Sequence, residues 1–447
     1  MGFVESEAAP VGQRHQKFLD FAKAARFSVF RTDRPPDNSG RGLVWAVDRE
    51  DEMATGTTPA AMAMSSGEFR IADIERRDDV ERKHRRIADF LRERQLNGLF
   101  LQKPSNFAWF TSGAASPSLG LTDYPSALFI TADSRVVVTN NVDSAEIFER
   151  QLAGLGFLLK ERPWLEERQI LLDDLRRGRA AGSDTGFEGT TAVSPEIAAL
   201  RIPLEDLECQ RLRQLGKILV HAVEATARSV EAGQTEAEIA AQIAHRLIKH
   251  DAVPVRVTAA ADGRLRHYPH WTYGNSPLRR WCVLSAVARQ HGLHCAVSRT
   301  VCLGVAPSDL AASYEQAAMV AASGIYFSQI GMPVSSVWDR IRRIYEKAGV
   351  TDEWQKCEQA EIIGYEVREQ PLLPQGRQIL APFTPIHWHP GVGPTRLGDT
   401  VLVREESVEL ITPTENWPQM QVTVKGYPLS LPALLERGSN PEGSAVI

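Results

Sequence analysis

Apolar positions recur every three or four residues in several stretches of the chain, and this spacing predicts amphipathic helices. From Asp73 onward, Arg76, Val80, Lys83, Ile87, Phe90 and Leu91 keep helical spacing, and Asn97-Gly98 reads as the stop. Short β-rich runs follow: LFLQ (99–102), SALFIT (126–131) and VVVT (136–139), with the polar segment SNFAWFTSG (105–113) between the first two. After a charged, Arg- and Gly-containing stretch over 171–203, Leu207, Leu212, Leu215, Ile218, Leu219, Ala222 and Val223 predict a long helix broken at Gly233. Thr235, Glu236 and Glu238 then start another, with Ile239, Ile243 and Leu247 on one side. Apolar strands are expected over 253–261, 281–288 and 293–304, helices over 308–328 and 337–348, and further strands near Tyr365, Ile386 and Val401.

This order divides the chain into an extension over 1–68, an α/β domain over 69–203, a larger α+β domain over 204–425 and a tail over 426–447. The length of 447 residues and 43% hydrophobic content suffice for more than one buried core. A net charge of −5 gives no electrostatic reason for nucleic acid or an anionic membrane as partner. Five cysteines without a CxxC pair read as reduced thiols, and no apolar run approaches the roughly 18 residues of a membrane helix. A cytoplasmic setting is expected. No glycine-rich phosphate loop is present.

Nine of the eleven histidines lie between His221 and His389, which places the chemistry in the second domain. His221, His245 and His250 fall on helices, where packing or capping explains them. His267, His270, His291, His294, His387 and His389 lie near strand ends. His387 and His389, two apart on a strand, share one face, and with Glu361 they have the composition of a facial triad for one metal ion. Arg264 and Arg266 could grip a substrate carboxylate, with Tyr268, Tyr365 and Glu369 as further polar candidates.

Several segments together resemble the creatinase/aminopeptidase P/methionine aminopeptidase superfamily, the pita-bread fold. LEDLECQRLRQLGKILVHAVEATARSVEAGQTEAEIA, HYPHW, AVSRTVCLG, IIGYEVREQP and GDTVLVREESVELIT follow that superfamily's order, and ERKHRRIADFLRERQLNGLFLQKPSNFAWFTSG is similar to its smaller N-terminal domain. The resemblance implies an α+β fold, a pita-bread C-terminal domain behind a smaller α/β creatinase-like N-terminal domain, and a homodimer. Peptidases of the family hold two metal ions with two Asp, one His and two Glu. Those positions fall here on Ser285, Ala296, Glu361, His389 and Gly398, so none of the five ligands matches.

The resemblance therefore implies a metal-independent enzyme, without cofactor, that hydrolyses or rearranges a C–N bond in a small amino-acid-derived molecule. His270, Glu361 and His389 are its expected catalytic residues. His267, Arg266, Tyr268, Tyr365, Glu369 and His387 are expected on the substrate. A mononuclear metalloenzyme using His387, His389 and Glu361, and a non-catalytic binding protein on the same fold, stand as alternatives.

Overall fold

The computed structural model describes residues 73–115 and 126–438. The extension expected over 1–68, and residues 439–447 of the expected tail, lie outside them.

Helix α1 (Ile74–Glu93) forms on the predicted spacing, capped by the Asp73 side chain, which accepts from the Arg76 N–H at 2.9 Å. It stops before the expected Asn97-Gly98 pair because Gln95 turns the backbone left-handed at φ 56°, and Gly98 already opens strand β1 (Gly98–Leu101). SNFAWFTSG is largely a helix, α2 (Pro104–Phe110), rather than a polar connection, since Phe107, Trp109 and Phe110 bury themselves beside α1. Strands β2 (Ala127–Ile130), β3 (Arg135–Asn140), β4 (Leu158–Arg162), β5 (Ala181–Ser183) and β6 (Thr191–Ala192) join β1 in a six-stranded mixed sheet of order β4-β3-β2-β1-β5-β6. Helices α3 (Arg168–Arg176) and α4 (Ser194–Arg201) lie in the stretch read only as charged.

The long helix α5 (Asp206–Ser229) starts at a capping box of Glu205 and Glu208, and α6 (Glu236–Ile248) at the box of Thr235 and Glu238 that the sequence announces. Both pack on the antiparallel strands β7 (Val253–Ala261), β8 (Trp281–Gln290) and β9 (Leu293–Leu303). Helices α7 (Ser308–Phe327) and α8 (Val334–Lys347) share a second core with the sheet of β10 (Ala360–Ile362), β11 (Gln370–Pro371), β12 (Pro385–Trp388), β15 (Asp399–Val403) and β16 (Val408–Leu410). The short strands β13 (Gly391–Val392) and β14 (Thr395–Arg396) make a turn between β12 and β15. The expected tail is partly structured: β17 (Gln419–Val424) pairs with β18 (Tyr427–Pro432), and β19 (Leu435–Arg437) runs parallel to β9. The architecture is α+β, with no doubly wound sheet among the described residues after 203. No described helix is long and apolar enough to cross a membrane.

Two packing features fix the strands that matter for function. Gly324 of α7 lies so close to Trp388 that an added Cβ would sit 2.7 Å from the indole, so the helix rests flat on β12 and Trp388 faces it. Alternation along the strand then turns His387 and His389 to the opposite side. The second feature joins the sheets: the Ser298 N–H donates to Gly398 O at 2.9 Å, and the Thr400 hydroxyl to Ala296 O at 2.8 Å. Buried Arg299 locks that seam by ion pairs to Glu224 at 2.9 Å and Asp399 at 3.0 Å.

Candidate active site

Glu361 on β10 stands directly opposite His387 on β12 in the antiparallel register. Its Oε1 lies 2.7 Å from His387 Nδ1, and its Oε2 lies 2.8 Å from His389 Nε2. The two imidazoles stack at 4.6 Å between centroids. Burial by itself would raise the Glu361 carboxyl, but the His389 charge and the hydrogen bonds from both rings outweigh it and hold the group well below the usual carboxylate range. A carboxylate only accepts, so both facing ring nitrogens donate. In neutral His387 the proton is then on Nδ1, and Nε2 carries a lone pair. That Nε2 is buried and has no hydrogen-bond partner among the described residues. His389 is lowered from its ordinary value by burial, against the pull of Glu361.

These side chains line a pocket of about 100 Å³ between the two sheets. Its floor is Ser285 and Ser298, whose hydroxyls are 2.5 Å apart, with Ala296 beside them. Arg256, Thr258, His270, Glu358, Arg368 and Arg396 complete the wall. His270 stands at the rim, largely exposed, with Nε2 3.6 Å from Glu358, which also pairs with Arg368 at 3.1 Å.

The remaining expected site residues lie elsewhere. Arg266, His267 and Tyr268 line a different and larger groove of about 670 Å³, because the short turn Arg264–Arg266 carries them away from His270. Among the described residues, the cluster of Glu361 with two histidines lies in the smaller pocket and not in this groove. Arg264, also in the groove, is engaged by Glu236 at 2.9 Å. Tyr365, expected on the substrate, is buried against α5, its hydroxyl donating to Glu208 at 2.7 Å. Glu369 is likewise withdrawn from the pocket by a buried ion pair with Arg201. Arg256, Thr258, Ser298, Glu358 and Arg396 were not singled out by the sequence reading. The signal for Arg256 was available, since it precedes Thr258 by two on β7 and shares its face.

A two-metal centre does not fit this wall. Of the five family positions only Glu361 supplies a carboxylate, Ser285 spends its hydroxyl on Ser298, and Ala296 and Gly398 offer no donor. A Cβ at Gly398 would lie 2.8 Å from Ser298 Oγ and 3.1 Å from His387 Nε2, so the space an acid would need there is filled. One ion is a different case: the donor atoms of Glu361, His387 and His389 all lie within 4.8 Å of one another.

Residues 210–412 match the model of metallopeptidase family M24. A probable dipeptidase PepE from Mycobacterium tuberculosis is 26% identical over 219 residues, 47% of this chain; the chain spans 58% of that relative's length. Among solved structures, the prolidase from Pyrococcus horikoshii OT3 superposes with a TM-score of 0.64 at 17% identity, covering 75% of this chain and 99% of the prolidase. The dipeptidase PepE from Mycobacterium ulcerans gives 0.67 at 16% identity, covering 81% of this chain and 99% of that one. At these identities the structural likeness speaks for the fold.

Proposed function

We infer from membership of the pita-bread M24 superfamily, carried by residues 210–412, that this chain is a hydrolase, and we read its reaction as metal-independent cleavage of a C–N bond in a small amino-acid-derived substrate. The observation that carries this reading is the Glu361 carboxylate held between two imidazoles, with buried His387 Nε2 left unpartnered at the pocket. Glu361 orients His387, and Nε2 takes the proton of an attacking water. His270, at the rim beside Glu358, returns a proton to the leaving nitrogen. His389 keeps the second carboxylate oxygen engaged, so that Glu361 does not rotate away from His387. The dipeptidase names of the relatives suit an amide as the bond cleaved. Two copies are expected to pair, as creatinase-like members do; light scattering at the 49.5 kDa of one chain would exclude it.

A second reading rests on the proximity of the three donors, which suits one divalent cation. A dipeptide library turned over by chelator-treated protein separates the two. Undiminished turnover supports the metal-free reaction; loss restored by one equivalent of Mn²⁺ or Zn²⁺ supports the cation. In the metal-free reaction Glu361→Gln and His387→Ala each lower kcat by about 10²–10⁴-fold. Full turnover by both variants ends that assignment.

A further inference from the structure

The charges of the pocket do not balance. Three arginines, Arg256, Arg368 and Arg396, share it with two carboxylates, Glu358 and Glu361; Glu358 pairs with Arg368 and Glu361 is hydrogen-bonded by the two imidazoles, which leaves Arg256 and Arg396 facing the same space. Neither guanidinium has a side-chain hydrogen bond or ion pair among the described residues, and Arg396 Nε is buried without an acceptor. Burial and the neighbouring Arg396 push Arg256 below the ordinary arginine value, against the weaker pull of Glu358 and Glu361. Both side chains are partly buried, and at Arg396 Nε the N–H has lost water without gaining an acceptor, which is rare in a finished protein.

We propose that Arg256 and Arg396 form a seat for an oxyanion, the carboxylate of the substrate, in the space where the fold's peptidases hold cations. Planar guanidinium forks match the two oxygens of a carboxylate, and a volume of about 100 Å³ suits a small carboxylate-bearing group. The larger groove around Arg279 and Arg280 is a weaker candidate, since its arginines are exposed and therefore already solvated. A carboxylate in the seat would lie beside His387, so the proposal sharpens the reading of the same site as a hydrolase and names its substrate class as an acid.

Binding is read without turnover, so this proposal and the proposed reaction fail separately. The intact chain is titrated with N-acetylglycine, succinate and inorganic phosphate in calorimetry and thermal shift, with sodium chloride matched for ionic strength. The carboxylates should bind and raise the melting temperature, and Arg256→Gln and Arg396→Gln should each weaken them by about tenfold or more with the unliganded fold unchanged by circular dichroism. Arg256→Lys should recover only part of the loss. Glu361→Gln, which stops the proposed reaction, should keep the affinity. No binding above the salt control, or equal binding by both arginine variants, overturns the seat. Phosphate bound more tightly, with the same dependence on both arginines, overturns the carboxylate as its occupant.

Discussion

Replacing Lys83 with Met tests whether α1 is clamped to α5, the helix that packs on the strands beside the candidate site. Lys83 Nζ lies 2.7 Å from Asp79 and 2.7 Å from Glu208, and none of the three side chains is exposed. Tyr365, four residues after Glu361, donates to the same Glu208 oxygen. Removing one partner of a buried ion pair costs about 3–5 kcal/mol, because the charge left behind is neither solvated nor compensated. The lower end applies here: Asp79 keeps Arg82 at 3.2 Å, and Glu208 keeps the Tyr365 hydroxyl and the Glu205 N–H at 2.7 Å. Against a total stability on the order of 5–15 kcal/mol, about 3 kcal/mol is a large fraction. Urea denaturation followed by fluorescence should show the midpoint falling with the slope unchanged. The deficit should also shrink as pH drops. Burial favours the neutral Asp79 carboxyl, and Lys83 is the main charge that now holds it ionised, so Asp79 in the variant binds a proton more readily when folded. Adding Glu208→Gln to Lys83→Met should recover part of the loss at neutral pH. A cost below about 1 kcal/mol at pH 7 would refute the clamp, since a solvated surface pair is worth that much.

Buried His294, whose Nδ1–H donates to Gly364 O at 2.9 Å, is pushed from its ordinary 6.5 down to about 4, chiefly by burial. Its contribution to stability is therefore complete above pH 6.5 and is lost as pH falls toward 4, about 3 kcal/mol in all. Urea midpoints across that window should fall less steeply for His294→Gln; parallel profiles would show that the imidazole is not buried neutral. Gly398→Ala should displace the Ser298 hydroxyl and destabilise the chain by about 1–3 kcal/mol, because the new Cβ arrives 2.8 Å from Ser298 Oγ. An unchanged denaturation curve would mean that the seam between β9 and β15 is looser than drawn.

Local signals carried much of the fold. The periodicity of α5 and the capping box at Thr235 are properties of a few neighbouring residues, and both elements form there. SNFAWFTSG misled because Ser105 and Asn106 stand in the first turn of a helix whose burial depends on α1, a tertiary fact. The site divides the same way. Glu361, His387 and His389 meet because strand register places 361 opposite 387, which the two-residue spacing of the histidines hinted at. Tyr365 and Glu369 sit close to Glu361 in sequence, yet their partners Glu208 and Arg201 lie far away along the chain and draw them inward. Arg396 is on a two-residue strand after a turn, where no periodicity exists to orient it.

The parallel pairing of Leu435 with Val301 has a consequence for the order of assembly. An antiparallel hairpin such as β8–β9 can zip from its own turn as soon as it is made, whereas a parallel partner must come back across the molecule. Here that partner is the last described strand. Until it arrives, the Val301–Leu303 end of β9 keeps its amide and carbonyl groups open to any extended chain nearby. Between the making of residue 303 and of residue 435 this short stretch of edge is therefore open to mispairing. Three residues late in the described chain serve as its cover.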